Sequence, residues 1–367
     1  MTADMTADAI RRAPKVLLHD HLDGALRTST ILELADAIGW APRLPSLDLD
    51  ELQSWFTAGA AANDLLQYLA TFEHTLAVMQ RPDHIERVAY EAVLDLALDG
   101  VVYAELRFAP ELHDLPFDVT IDAVAAGFRR AERDASNSGH TIEANAIICA
   151  MRTEQRSLEV ARFVDQVRQR EPKVVAFDLA GAETGWPPSL HAEALAHARD
   201  RHLNITIHAS EPPDLELIAD ALAHGAHRIG HGVRLVSDTS LDSEGGLVIG
   251  PLARFVLDHQ IHLEMAPTCN TQIGAVASVA DHPIGPFLRH GFNVSVNTDN
   301  RLMSQVTASS EMTAVATAFD LSWAEIAALV RNGVMSSFAP VERRRALVAD
   351  VIDPAYAALT RVTAPAG

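Results

Sequence analysis

Short apolar runs alternate with long segments of helical periodicity along most of this 367-residue chain. The segments between the runs, such as Asp83–Leu98 and Val119–Asn137, place apolar residues at helical spacing. Strand and helix repeated eight times predict an α/β fold, a TIM-like (β/α)₈ barrel. The eight predicted strands lie near Lys15–Leu18, Val101–Arg107, Ile142–Cys149, Val174–Leu179, Asn204–Ile207, His227–Ile229, Ile261–Glu264 and Val294–Asn297.

One connection is much longer than the others. Between Asp23 and about Gln80 the chain carries several helical patterns before the second strand, among them Ile31–Ile38 and Asp64–Met79. An insertion after the first barrel strand lies over the mouth of the barrel, where it can act as a lid that excludes water. A helical decoration on the side of the barrel is the alternative. We therefore expect one barrel domain over residues 1–367, with a helical lid insertion at about 24–80.

Composition limits the compartment and the partners. Cys149 and Cys269 are the only cysteines, so a disulfide framework is excluded and a reducing cytoplasm is expected. No apolar stretch approaches the roughly 20 residues that span a bilayer, so we expect no membrane partner. A net charge of -20 argues against a nucleic-acid partner, because such binding neutralises phosphates. The sequence leaves the oligomeric state open.

Polar side chains cluster at or just after the ends of these runs. His19 and His21 follow the first run, and residues two apart in a strand point to the same face. His208 ends the fifth run and Asp299 follows the eighth. In barrel enzymes the carboxyl ends of the strands hold the active site, and imidazole and carboxylate groups are metal ligands. We therefore predict a metal site made of His19, His21, His208 and Asp299.

Five short motifs follow one another along the chain. They are His19–Gly24, Asp178–Glu183, His208–Glu211, Arg228–Gly232 and Asn297–Asn300. In this order they resemble the motifs H-x-H-x-D-G, D-x-A-G-x-E, H-A-G-E, R-I-G-H-G and N-T-D-D of the adenosine deaminase family, a branch of the amidohydrolase superfamily. The resemblance extends from residue 19 to about 311, and the residues after Asp299 resemble the family's actinobacterial members. The other zinc deaminase architecture uses H-x-E and P-C-x-x-C instead.

The resemblance implies a hydrolase with one Zn²⁺ per chain that converts adenosine or 2′-deoxyadenosine and water to inosine or 2′-deoxyinosine and ammonia, in purine salvage. It implies a small-molecule purine nucleoside as the partner. Glu211 would protonate N1 of the purine, His231 would orient the attacking hydroxide, and Asp299 would both bind the metal and accept a hydrogen bond. The residues implied in substrate binding are His21, Asp23, Gly181 and Asn300.

The chain departs from the family pattern at several positions. Asn300 replaces a second aspartate, and its amide can donate to N7 without a change of pKa. Ser210 replaces a glycine; if that position needs a positive φ, a side chain costs on the order of 1 kcal/mol. Ala266, Cys269 and Gln305 also replace family residues. These changes leave the preferred 6-aminopurine open.

Three alternatives to adenosine deamination follow. A deaminase of another 6-aminopurine, adenine or an aminofutalosine-type nucleoside, is suggested by Ser210 and Gln305. A non-catalytic nucleoside-binding barrel would predict loss of Glu211 or of a metal ligand, and the chain retains them. A two-metal hydrolase with a bridging lysine carbamate is disfavoured, because the strand Val174–Leu179 has no lysine at its tip.

Overall fold

A computed structural model describes residues 5–62, 65–241, 243 and 246–362. Eight of its strands are parallel and form one sheet, in the order β1, β2, β3, β4, β5, β6, β9, β10. The other two, β7 and β8, pair in an antiparallel hairpin that the sequence patterns did not predict. The strands are β1 (Lys15–His21), β2 (Val101–Phe108), β3 (Glu143–Met151), β4 (Val174–Ala180), β5 (Ile205–Ala209), β6 (Arg228–His231), β7 (Thr239–Leu241), β8 (Leu247–Ile249), β9 (His262–Met265) and β10 (Val294–Val296).

Helices follow most of the barrel strands, as the alternating pattern predicts. The α-helices are α1 (Ala7–Arg12), α2 (Thr28–Ala37), α3 (Leu49–Ala60), α4 (Leu65–Val78), α5 (Pro82–Leu98), α6 (Phe117–Asn137), α7 (Ser157–Val167), α8 (Ala192–Asp200), α9 (Glu216–Ala223), α10 (Pro251–Asp258), α11 (Pro267–Gln272), α12 (Ile284–Arg289), α13 (Arg301–Ser304), α14 (Ala308–Ala318), α15 (Trp323–Ser336), α16 (Val341–Ala346) and α17 (Asp353–Val362). A π-helical segment, Leu347–Ile352, joins the last two. No helix among the described residues is long and apolar enough to cross a membrane.

The strands are buried on both faces, as expected when helices surround a parallel sheet. In β5 and β9 every side chain is buried, including the polar ones near the carboxyl ends. This explains why the runs are largely apolar on both faces rather than alternating between apolar and polar residues. The prediction of an α/β barrel is confirmed.

The first and last barrel strands meet at a seam, which we call the closing seam. The backbone N–H of His21 donates to the carbonyl of Asp299 at 2.9 Å, and the N–H of Asp299 donates to the carbonyl of His19 at 3.0 Å. Because β10 is short, the side chain of Asn297 continues the pairing: its Oδ1 accepts from the backbone N–H of Leu18 and of His19, at 2.9 and 3.1 Å. The closing seam thus contains three of the predicted metal ligands, His19, His21 and Asp299.

The segment between β1 and α5 folds into helices α2, α3 and α4. Helix α3 begins at Asp48, whose carboxylate accepts from the N–H groups of Asp50 and Glu51. Its apolar side, including Phe56, is buried in the main core. Gln53 on the same helix donates to the carbonyl of Leu302 at 3.0 Å, which holds α3 against α13 at the mouth of the barrel.

Candidate active site

His19 lies at the centre of the site and is fully buried. Its Nδ1 is 3.0 Å from Oε2 of Glu264, a carboxylate that can only accept, so Nδ1 carries the proton. Nε2 therefore exposes a lone pair. This atom is buried without a hydrogen-bond partner and lies 3.4 Å from Oδ1 of Asp299. A lone pair and a carboxylate oxygen facing each other at this distance are stabilised by a cation between them.

His208 is held in the same way. Its Nδ1 lies 3.1 Å from Oδ2 of Asp178, so its Nε2 also exposes a lone pair. That Nε2 is 3.2 Å from Nε2 of His21, which in turn is 3.3 Å from Oδ1 of Asp299. Ligand atoms about 2.0–2.1 Å from a common zinc ion are separated by comparable distances. The four side chains that the sequence predicted as ligands are thus brought together, and they fit a metal ion.

A buried guanidinium connects the two carboxylates that hold these imidazoles. Arg107 donates to Oδ2 of Asp178 at 2.9 Å and to Oε2 of Glu264 at 2.6 Å. Burial opposes ionisation of Glu264, but Arg107 and Arg228 hold its pKa well below its usual range. Both carboxylates therefore remain ionised acceptors, and the imidazole protons stay on the Nδ1 atoms.

Glu211 follows β5, three residues after His208. Its Oε1 lies 3.5 Å from Nε2 of His231, and its backbone N–H donates to Oε1 of Glu183 at 3.1 Å. Burial, together with the negative charge of Asp299, raises the pKa of Glu211 to about 7. A carboxyl group with such a pKa holds a proton near neutral pH and can give it to a bound substrate.

His231 and Asp299 both adopt left-handed backbone conformations, with φ of 61° and 57°. Few residues other than glycine do so, and such strain is concentrated at functional sites. His231 ends β6, and its Nδ1 is 3.1 Å from Nδ2 of Asn270. His19, Asp299 and His231 also form a second group whose ligand atoms lie within 4.8 Å of one another.

A cavity of about 660 Å³ opens above this cluster, a volume typical of sites for small molecules. Its described wall contains all but one of the site residues predicted from the sequence; His19 lies beneath it. The predicted residues in the wall are His21, Asp23, Gly181, His208, Glu211, His231, Asp299 and Asn300.

Two glycines give the cavity wall its shape. Gly181 has a φ of 93°, and a Cβ at this position would lie 2.9 Å from Cε of Met151. A Cβ on Gly24 would lie 2.1 Å from Oδ1 of Asn300. Asp23, next to Gly24, has an Oδ1 that is buried without a hydrogen-bond partner, and burial raises its pKa to about 7.

The inserted helices supply an apolar part of the wall through Ala60 of α3 and Phe72 and Leu76 of α4. The segment therefore borders the cavity rather than the outer side of the barrel. A ligand in the cavity would lie between these side chains and the polar ends of the strands.

Apart from Asn300, the positions that depart from the family pattern lie outside the described wall. Ser210 is buried and does not have a positive φ, so the condition under which a side chain would be strained there is not met. Gln305 does have a positive φ, 53°, and the strain falls on this residue instead. Ala266 and Cys269 are buried beside the site but do not line the cavity.

The sequence patterns did not single out Glu183, Asn270 or His282, which contact the site residues. Glu183 accepts from the backbone of Glu211, and Asn270 contacts His231 and His282. Glu183 ends the Asp178–Glu183 motif, and this position could have identified it as a site residue from the sequence. Asn270 and His282 lie in the connection after β9, and no local periodicity relates them to His231 on β6.

Comparison with known proteins agrees with this geometry. The adenosine deaminase family model matches residues 14–354. An adenosine deaminase of Mycolicibacterium vanbaalenii is 47% identical over 363 residues, which cover 98% of this chain and 99% of the relative. The crystal structure of an adenine deaminase from Arthrobacter aurescens is 25% identical, with a TM-score of 0.79 over 93% of this chain and 98% of that one.

A zinc-bound amidohydrolase from Burkholderia ambifaria is 22% identical, with a TM-score of 0.82 over 99% of this chain and 95% of that one, and it supports the fold alone. The family match extends over nearly all of the barrel, and the identity to the Mycolicibacterium enzyme extends over nearly the whole chain. The chain therefore belongs to the adenosine deaminase family, whose members are hydrolases that act on carbon–nitrogen bonds.

Proposed function

We propose that this protein hydrolytically deaminates adenosine and 2′-deoxyadenosine to inosine and 2′-deoxyinosine, as a step of purine salvage, with one zinc ion per chain. The observation that carries the proposal is the convergence, at one cavity, of a cluster of side chains that fits a metal ion and of the carboxyl group of Glu211. The ion would be held by His19, His21, His208 and Asp299. When bound, it supplies a Lewis acid that lowers the pKa of water from 15.7 toward about 7.

The chain's own groups manage the protons of the reaction. As the water oxygen forms its bond to C6 of the purine, an electron pair moves onto N1, and the carboxyl group of Glu211 donates a proton there. His231 and Asp299 orient the attacking oxygen, and the carboxylate of Asp299 accepts the first proton of the water. Return of that proton to Glu211 restores the acid for the next turnover. The bond between C6 and the amino nitrogen then breaks, ammonia leaves with the proton of the attacking oxygen, and a C6 carbonyl remains.

The cavity wall offers contacts for the rest of the nucleoside. We assign Asp23 to the sugar hydroxyls, the backbone of Gly181 to the ring edge and the amide of Asn300 to N7, with His21 beside the purine. The helices of residues 24–80 then act as a lid of the single barrel domain. Their apolar side chains exclude water from the reacting atoms, which strengthens the electrostatic interactions inside the cavity.

The charges in the wall favour a nucleoside over a nucleotide. The wall contains the carboxyl groups of Asp23, Glu73 and Glu183 besides those of Glu211 and Asp299. Arg234 is the cation of the described wall, and its guanidinium is engaged by the carbonyls of Glu211 and Ala275, at 3.2 and 2.9 Å. A phosphate group would therefore find no free cation in the described wall to compensate its charge.

The ultraviolet change on conversion of adenosine to inosine tests the proposal. The zinc-loaded protein should convert adenosine, and Glu211→Gln should abolish the conversion while retaining zinc. Glu311→Gln is the matched control, because Glu311 also has a pKa raised to about 7 but lies outside the described cavity wall. Zinc-loaded protein that leaves adenosine unchanged would reject adenosine as the substrate.

Adenine is the second candidate substrate, because of the similarity to the Arthrobacter adenine deaminase. An aminofutalosine-type nucleoside is the third. A comparison of kcat/KM among adenosine, 2′-deoxyadenosine, adenine and a nucleoside with an enlarged 5′ substituent separates them. We expect the two unmodified nucleosides to be preferred, since Ser210, Ala266, Cys269 and Gln305 lie outside the described wall and the amide of Asn300 can still donate to N7. Binding of adenosine without turnover would favour a non-catalytic barrel.

A further inference from the structure

A chain of hydrogen bonds leads from a backbone amide to the imidazole of His231. At its outer end, the backbone N–H of Ile284 donates to Nδ1 of His282 at 3.1 Å. A backbone amide can only donate, so this Nδ1 is the unprotonated nitrogen of the ring. Burial lowers the pKa of His282 to about 3, so the ring is neutral and its single proton lies on Nε2.

The first bond determines which nitrogen of His282 carries the proton, and therefore which group donates in each of the next two bonds. Nε2 of His282 donates to Oδ1 of Asn270 at 3.1 Å, which leaves the amide nitrogen of Asn270 facing the other way. That Nδ2 lies 3.1 Å from Nδ1 of His231 and must donate to it. All three side chains are buried, so water does not compete for these contacts.

We propose that Asn270 and His282 are positioning residues that hold His231 as the tautomer with its proton on Nε2, so that His231 acts in the reaction only as a hydrogen-bond donor. This role rests on the proposed function, in which His231 contacts the attacking oxygen. The donating Nε2–H lies 3.5 Å from Oε1 of Glu211 and borders the cavity.

The tautomer restricts the chemistry of the site in two ways. A protonated Nε2 has no lone pair, so His231 cannot bind the metal ion through the atom that faces His19 and Asp299. It also cannot remove a proton from the attacking water, which leaves the carboxylate of Asp299 as the acceptor beside that oxygen. Of the two possible metal-binding groups, the one that includes His231 is therefore excluded, and the one made of His19, His21 and His208 remains.

Asn270→Asp replaces the donating amide nitrogen by a carboxylate oxygen that accepts, with almost no change in the shape of the side chain. An aspartate at this position still accepts from His282 but cannot donate when ionised, so the His231 proton should move to Nδ1. The same substitution at Asn293 is the matched control. The Oδ1 of Asn293 already accepts from Nδ1 of the buried His262 at 2.8 Å. In Asn293→Asp an oxygen at the same position still accepts, so the donor and the acceptor of this pair do not change.

The first readout is the long-range ¹⁵N–¹H NMR pattern of the imidazoles in metal-free, ¹⁵N-histidine-labelled protein, with the signal of His231 assigned from a His231→Gln sample. We expect an Nε2–H pattern for His231 in the wild type and an Nδ1–H pattern in Asn270→Asp. Asn293→Asp should leave the His262 pattern unchanged. An Nε2–H pattern that persists in Asn270→Asp, or an Nδ1–H pattern in the wild type, would overturn the proposal.

The second readout compares the changes in kcat and in KM for adenosine that Asn270→Asp causes. Loss of the donor should lower kcat by about 10²-fold or more with little change in KM, since the interaction is made with the reacting oxygen. Because the tautomer is read without metal or substrate, an inactive wild type with the expected tautomer would reject the proposed function and leave the assignment of the tautomer standing.

A substitution pair at His282 covers the case in which Asn270→Asp fails to fold. Gln can place an N–H donor near the position of the imidazole Nε2, so His282→Gln should retain the His231 tautomer and most of kcat. His282→Leu removes that donor, leaves the Asn270 amide free to turn over, and should lower kcat. Equal kcat values for the two variants would contradict the assignment of His282.

Discussion

Arg107 and His19 donate to the same carboxylate oxygen, Oε2 of Glu264, at 2.6 and 3.0 Å. Arg107 also donates to Asp178, the carboxylate that holds His208. One buried cation therefore orients two imidazoles that lie on strands far apart in the sequence. Each imidazole keeps its proton on Nδ1 and turns its Nε2 lone pair toward the metal-binding cluster.

Glu264→Gln should weaken zinc binding by about 10–100-fold, because the carboxylate that orients His19 and raises its basicity is lost. Competition with a chelator measures the affinity. Glu105→Gln is the control: Glu105 belongs to the same buried network through Arg228, but it contacts no histidine ligand. Equal losses of zinc affinity in the two variants would show that the net charge of the network, rather than the orientation of His19, sets the affinity.

Gly24→Ala should weaken nucleoside binding by about tenfold or more, equivalent to at least about 1.4 kcal/mol. The new methyl group would lie 2.1 Å from Oδ1 of Asn300 and would displace that side chain from the cavity wall. Titration with inosine measures the effect. Gly333→Ala, whose Cβ would meet its nearest neighbour at an ordinary 3.4 Å, should bind inosine normally. Unchanged affinity in Gly24→Ala would exclude Asn300 from purine recognition.

Gln305→Gly should raise the free energy of unfolding by about 1 kcal/mol, since Gln305 ends α13 in a left-handed conformation that glycine adopts without strain. Gly291 has a φ of 81° and open space around it, so Gly291→Gln should lower the free energy of unfolding by a similar amount. Urea denaturation measures both. A less stable Gln305→Gly would mean that the glutamine side chain contributes more than the strain costs.

Lys15 should make stability depend on pH in the alkaline range. Its ammonium group is buried against the carbonyls of Ile10, Arg11 and Ala13 near the end of α1, and burial lowers its pKa from 10.5 to about 8. Between these two values the unfolded chain binds more protons than the folded one, so stability should rise with pH from about 8 to 10.5.

The Lys15→Met variant isolates this effect, because tyrosines also titrate at high pH. The difference in unfolding free energy, wild type minus Lys15→Met, should increase as the pH is raised through this range. Urea denaturation at several pH values gives the two curves. A constant difference would show that the pKa of Lys15 is the same in the folded and unfolded chains.

The barrel and the metal-binding cluster could be predicted because both depend on local periodicity. His19 and His21 share a strand face, and His208 and Asp299 end or follow their strands, so the alternation of strand and helix was sufficient to bring the four together. The same reasoning placed Glu211 beside them. The prediction depends only on the rule that parallel strands present their carboxyl ends at one rim.

Contacts that depend on loop conformation could not be predicted in this way. Asn270 and His282 reach His231 from the segment after β9, and no periodicity relates that segment to β6. The backbone of Ser210 likewise could not be deduced from the replacement of a glycine, because the family pattern does not state which residues carry a positive φ. The hairpin of β7 and β8 is too short for its pattern to stand out.

The closing seam makes the cluster depend on the two strands that lie farthest apart in the sheet's sequence. His19 leaves the ribosome early, whereas Asp299 and Asn297 emerge only after the other barrel strands have been made. A product truncated after β9 would retain the imidazoles of His19, His21 and His208 but neither the carboxylate nor the amide that aligns the first strand. Such a fragment could not complete the cluster, so the four side chains come together only after synthesis has passed the eighth barrel strand.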